Sequence, residues 1–317
     1  MPGQGRNKAV EVVKTALERS GFEAALFPVA RVSSLSRELE GRAVSGEVGL
    51  ELVQRYLSPL SIAPPEVPSW GKSVFLVAMG RPIARFRFEL PNGFLWGVVP
   101  PQYRKDQETT VGEFLARLLR PLGSRTARAE IPLKLASAHC GLGRYGRNNL
   151  VYTRGNGSFL RLVAFFSELE CEEGPWEEPE LMEACVNCDV CLRNCPTGCL
   201  AADRFLARGE RCVSFHNEDA APLPGWIERE WHNSLLGCMR CQSACPANRA
   251  YLSRIVTWDT FSKAETETLL SSSGAEDIPG EIAQRFYRVG IGHYLPVIGR
   301  NLRALAVRYK RHAEFSA

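Results

Sequence analysis

Cys185-Val-Asn-Cys188-Asp-Val-Cys191-Leu-Arg-Asn-Cys195-Pro196 stands a little past the midpoint of this 317-residue chain, and Cys238-Met-Arg-Cys241-Gln-Ser-Ala-Cys245-Pro246 follows it. The first run has the C-x2-C-x2-C-x3-C-P spacing that binds paired 4Fe-4S cubanes, its fourth cysteine ligating the other cluster. Each cubane takes four thiolates. With Cys212 between the runs, the stretch carries eight cysteines, which suffices for two clusters. The proline after the fourth cysteine stops the backbone from wrapping further. Structural zinc uses C-x2-C pairs in fours, which four cysteines this closely spaced and followed by Pro-Thr suit poorly. A disulfide framework needs an oxidising compartment. The N-terminus leads into an amphipathic helix without the apolar core of a signal peptide, so a cytoplasmic location is expected, with the thiolates kept for iron.

Outside this stretch the chain has ordinary globular composition, 45% hydrophobic and 23% charged. No apolar run approaches the ~20 residues that span a bilayer, so no membrane partner is expected. The net charge of +4 is too mild to imply nucleic acid by itself. Cys140, Cys171 and Cys199 remain outside the eight and read as small apolar packing residues.

Working upstream, residues 7–20 place Val10, Val12, Val13, Ala16 and Leu17 on one helical face. Phe22 to Val32 reads as a strand and connector, and Glu47 to Leu57 as a helix. Ser73 to Met79 is a buried strand. Phe86 to Leu90 alternates with period two, turns at Pro91-Asn-Gly93 and returns through Val99 as a hairpin. Thr110 to Leu119 repeats apolar residues at helical spacing. Pro132 to His139 is helical and enters Cys140-Gly141-Leu142-Gly143-Arg144-Tyr145-Gly146-Arg147-Asn148-Asn149, followed by a strand-like Leu150 to Thr153 and by Gly157-Ser158. The glycines spell G-x-G-x-x-G, yet a dinucleotide fingerprint needs a strand before it and a helix after it. Here the order is reversed, so the run reads as a turn bringing backbone close to some flat or bulky ligand. Glu168 to Glu183 holds eight glutamates in 16 residues and reads as a solvated linker or exposed loop. Beyond Pro246 the pattern is helical, and the basic tail (Arg300, Arg303, Arg308, Lys310, Arg311) reads as a wet face.

Together these features resemble the epoxyqueuosine reductase family, itself similar to the reductive dehalogenases. The likeness is carried by the glycine-rich GLGRYGRNN stretch, by Gly157-Ser158 before an apolar strand, by the eight cysteines, and by Cys241-Gln-Ser-Ala-Cys245-Pro-Ala-Asn248. It runs from about Pro132 to Asn248. It implies an α+β fold: a nitroreductase-like, cobalamin-binding α/β domain over residues 1–167 and an acidic linker over 168–183. A bacterial-type two-cluster ferredoxin domain over 184–250 and a short C-terminal helical tail over 251–317 would follow. It also implies a ligand assignment, with Cys185, Cys188, Cys191 and Cys245 on one cluster and Cys195, Cys212, Cys238 and Cys241 on the other. Base-off cobalamin would lie against Gly141, Leu142, Gly143, Tyr145, Gly146, Arg147, Asn148, Gly157 and Ser158.

The implied function is a reductase in which a low-potential donor of ferredoxin or flavodoxin type feeds two clusters, and these feed the corrin. The family's aspartate ahead of the glycine turn has no counterpart in Arg125-Thr-Ala-Arg-Ala-Glu130-Ile-Pro132. Glu130, Tyr103 and Tyr145 are therefore the candidate proton donors. The resemblance makes tRNA a possible partner. Two alternatives stay open: an electron-transfer or activating protein for a corrinoid held elsewhere, and a cytosolic dehalogenase-like enzyme.

Overall fold

Ser73–Gly80, the unbroken apolar run, is the most deeply buried strand of a computed structural model that describes residues 3–52, 66–103 and 107–314. The chain divides into two units. One comprises Met1–Gly80, Gln107–Asp189 and Asp203–Leu206; the other comprises Arg81–Asp106, Val190–Ala202 and Ala207–Ala317.

In the first unit β1 (Phe22–Pro28), β2 (Ser73–Gly80), β8 (Leu160–Ser167) and β5 (Thr126–Ala129) form one antiparallel sheet in the order β1-β2-β8-β5. Successive side chains of a strand point to opposite faces, and both faces of β2 find partners. Phe75, Val77 and Met79 pack with Val13 and Leu17 of the helix Gly3–Arg19 and with Val111, Leu115 and Leu119 of the helix Gln107–Leu119. Val74 and Leu76 pack with Val32 and Leu35 of the helix Val32–Val44 and with Leu135 and Ala136 of the helix Leu133–His139. Each apolar side chain so buried contributes roughly 1.5–3 kcal/mol. Val12, expected on the buried face of the first helix, is exposed instead, because Val13 and Leu17 at i, i+4 spacing set the packed stripe. The helix expected over Glu47–Leu57 lies partly outside the described residues; Leu50–Leu52 is helical.

In the second unit β3 (Ile83–Leu90) and β4 (Gly93–Val99) make the expected hairpin, with Leu90 opposite Gly93. The third strand, β9 (Ile255–Phe261), pairs parallel to β3. This corrects the helical reading of the chain beyond Pro246. Ile255-Val-Thr-Trp-Asp-Thr-Phe261 is rich in β-branched and aromatic residues, and Phe261 joins Phe86, Phe88 and Phe286 in an aromatic core. The helix Lys263–Ser271 starts at a capping box of Ser262 and Glu265, and Arg285 of the helix Gly280–Arg288 clamps Asp259 at 2.6 Å and Glu265 at 2.7 Å. In the helix Leu295–Glu314, Arg300 donates to the His216 carbonyl at 3.0 Å and Arg303 to the Leu270 carbonyl at 2.8 Å. Arg300 is thus partly buried and structural, whereas Arg303, though it makes that bond, stays exposed as the wet-face reading expects. The side chains of Arg308, Lys310 and Arg311 lie outside the described residues.

Candidate functional site

Between Val190 and Ser243 the α-helices are short: Val190–Arg193, Val213–Asn217 and Arg240–Ser243. Cysteine-bearing turns separate them. Cys191, Cys195, Cys199, Cys212 and Cys241 share one buried apolar cluster with Leu192 and Leu200. Cys238 and Cys241 are pushed up, by burial first and then by neighbouring sulfurs, Cys212 acting on both and Cys195 also on Cys241. Cys195, Cys212 and Cys238 of one assigned set, together with Cys191 of the other, thus lie near Cys241 within the second unit. The sulfurs are spread out: among the described residues no three His, Cys, Asp or Glu side chains close around one point, as a single ion needs. A cubane takes its four thiolates at separate corners, and crowded thiols that repel as anions suit a cationic iron core. This donor set fits an iron–sulfur cluster.

Donors to sulfur are already in place. Asn233 Nδ2 donates to Cys238 Sγ at 3.1 Å, while its Oδ1 accepts from the Met239 amide at 2.8 Å. Side-chain amides also tie the loops down: Asn301 Nδ2 donates to the Asn217 and Leu235 carbonyls at 2.8 and 2.9 Å, and Asn217 Nδ2 to the Gly237 carbonyl at 3.0 Å. Buried polar groups demand such partners.

Cys185 and Cys188 belong to the first unit, where the glycine-rich turn meets Cys185 directly. The Arg147 amide donates to Cys185 Sγ at 3.5 Å, and its guanidinium donates to the Cys185 and Val186 carbonyls at 2.8 and 3.2 Å. Cys191 and Cys245 lie in the second unit. The turn is a miniature hairpin of β6 (Arg144–Tyr145) and β7 (Val151–Tyr152), closed by Asn149 at φ 61°. A Cβ on Gly143 would stand 2.6 Å from Val151, and one on Gly146 2.5 Å from Tyr152. The close approaches at both glycines are to the chain's own hairpin, which accounts for them without a ligand. Asn148 Nδ2 donates to the Tyr152 hydroxyl at 2.8 Å. Gly157 (φ 54°) bridges Thr153, Ser158 beside it is buried, and Leu142 packs against the sheet core.

The candidate proton donors sit in different settings. Glu130 has 61% of its side chain exposed and pairs with Arg128 at 3.2 Å. Tyr145 is buried edge-on to Phe205, 5.1 Å between ring centres, and burial pushes its hydroxyl up. Tyr103, in the second unit, is buried and donates to Glu218; burial and that carboxylate raise it well above the usual range. Glu130 and Tyr145 therefore share a unit, and Tyr103 does not.

The acidic stretch is laid along the first unit. Trp176 stacks on buried His139 with 5.0 Å between ring centres, the Glu177 amide donates to the His139 carbonyl at 2.9 Å, and Glu173 pairs with Arg31 at 2.7 Å. Of the spare cysteines, Cys140 and Cys171 are pushed up to about 11, by burial foremost, as inert packing thiols are. Cys199 differs. Its Sγ lies 3.4 Å from Cys195 Sγ. Cys199 is the largest influence bringing Cys195 down to about 4, and it lowers Cys212 as well. Neither Asn233 nor Cys199 was singled out from sequence; only the count of cysteines, one more than needed after Cys195, hinted at the second.

Comparison with known proteins agrees. Residues 184–248 match the 4Fe-4S double cluster binding domain. Epoxyqueuosine reductase from Yersinia pestis is 30% identical over 185 residues, 56% of this chain and 42% of that protein. The enzyme from Staphylococcus aureus is 29% identical over 116 residues, 37% of this chain and 29% of its own. The matched part thus spans less than half the length of these curated relatives. A structure of epoxyqueuosine reductase from Bacillus subtilis shares the fold, with TM-score 0.63 and 22% identity over 97% of this chain and 82% of that one. The class is therefore an α+β protein with a two-cluster iron–sulfur domain. Within that class, the chain is similar, at 29–30% identity over part of its length, to epoxyqueuosine reductases. Among the described residues no helix is long and apolar enough to cross a membrane.

Proposed function

We propose that the chain is an iron–sulfur oxidoreductase of the epoxyqueuosine reductase kind, passing low-potential electrons one at a time through two thiolate-held 4Fe-4S clusters. The observation that carries this reading is the convergence of Cys195, Cys212, Cys238 and Cys241 on one interior layer, with Asn233 already donating to Cys238 Sγ at 3.1 Å. Hydrogen bonds to sulfur and solvent exposure set cluster potentials between roughly −700 and +450 mV. Asn233 and the Arg147 amide are positioned to do this at Cys238 and Cys185. Cys185, Cys188, Cys191 and Cys245 form the other ligand set in the proposal.

The finer part of the proposal, base-off cobalamin at residues 141–148, 157 and 158, comes from the family resemblance. Gly143 and Gly146 approach the chain's own hairpin, whereas Gly141 is open, and no chemical step is assigned to the corrin. A substrate proton comes from Glu130, the one candidate donor that solvent reaches. The electron donor is a ferredoxin- or flavodoxin-type protein, and the substrate an epoxyqueuosine-like nucleoside in tRNA.

Anaerobic reconstitution with iron and sulfide tests the core of this reading. Uptake of roughly eight irons per chain, with 4Fe-4S signals after reduction, is the expected result. Uptake of zinc in place of iron would end it. Titration with hydroxocobalamin and turnover of queuosine-precursor tRNA then decide the corrin and the substrate separately.

A further inference from the structure

The eight-cysteine count leaves Cys199 over, and the fold puts it where packing alone does not explain it. It is 4% exposed and follows Gly198, whose φ of 60° turns the chain back on itself after Cys195-Pro196-Thr197. The Arg208 amide donates to its carbonyl at 2.8 Å and fixes the turn. Its sulfur lies 3.4 Å from Cys195 Sγ, a sulfur of one proposed ligand set. Thr197 Oγ1, also buried, lies 3.5 Å from Cys195 Sγ as a second neighbour of that sulfur.

Geometry decides between two roles. Thiolates on one cubane occupy separate corners and stand farther apart than van der Waals contact, so sulfurs at 3.4 Å cannot both be ligands of the same cluster. A thiol that is not a ligand keeps its hydrogen, whereas an iron-bound thiolate has none to give, so the donor direction is fixed. We propose that Cys199 is a positioning residue whose S–H donates to the cluster-bound sulfur of Cys195 and raises that cluster's reduction potential. The inference rests on the proposed cluster reading and adds to it a residue that sets the two clusters apart. The other ligand set has an amide donor, from Arg147 to Cys185, and the hydrogen bond to each set can be altered separately. A donor to sulfur stabilises the more negative, reduced cluster, which is the physical source of the shift.

The test uses the full chain, anaerobically reconstituted, with redox titration followed by EPR. In Cys199→Ala, iron and sulfide stay at the wild-type level while one cluster's midpoint falls and the other's holds. One exchangeable-proton coupling of the shifted cluster, seen by ENDOR, is lost, while the coupling from the Asn233 amide on Cys238 remains. Cys199→Ser keeps a hydroxyl donor and restores part of the shift, which also covers the case in which the alanine variant folds poorly. Unmoved midpoints in a variant with full iron overturn the inference while leaving the cluster reading intact. Loss of about half the iron in both variants makes Cys199 a ligand and overturns it too. Wild-type protein that binds no iron sinks the cluster reading and this inference together.

Discussion

Along β2 every residue from Ser73 to Met79 is buried, whereas between residues 190 and 245 the longest α-helix has five residues. Sheet and helices in the first unit are held by apolar side chains on both faces. The cysteine turns of the second unit are held by Asn217, Asn233 and Asn301 side-chain amides and by the ligands their thiols await. Helices shorter than about 12 residues are marginal alone. The first region is therefore stable through burial, and the second depends on what its sulfurs bind.

The largest expected effect breaks that comparison open. Anaerobic iron chelation should erase amide protection across residues 190–245 in hydrogen exchange while leaving Ser73–Gly80 and Leu160–Ser167 protected. Equal loss in both regions would remove the distinction. Next, Phe75→Ala should cost about 3–5 kcal/mol of unfolding free energy in denaturant titration, because Phe75 is fully buried between two helices and the sheet. Cluster signals per folded chain should not change.

His232 gives a pH test within the second unit. Burial, and then the nearby Arg300 charge, bring its imidazole down to about 4 from the usual value near 6.5. The folded state therefore favours the neutral ring. Its contribution is fully present above pH 6.5, is lost progressively as pH falls towards 4, and amounts to on the order of 3 kcal/mol. Wild-type stability should fall across this window more steeply than that of His232→Gln, followed by tryptophan fluorescence. Smallest in stability is Glu130→Gln, at most ~0.5 kcal/mol because the side chain is exposed. Its turnover should nevertheless drop about 100-fold or more if Glu130 delivers the proton. Unchanged turnover would move that role elsewhere.

From residues alone, the cluster domain, strand β2, the β3–β4 hairpin and the helix Leu133–His139 were all readable. Ligand spacing, two-residue alternation and turn residues are written within a few positions of one another. Pairing across long separations was not. The parallel docking of β9 on β3, the stacking of Trp176 on His139, and the burial that takes Tyr103 and Tyr145 from solvent depend on which surfaces meet after collapse. Cys199 marks the boundary most sharply. Its sequence names only a small apolar thiol, and it takes the left-handed turn at Gly198 to set its sulfur 3.4 Å from that of Cys195.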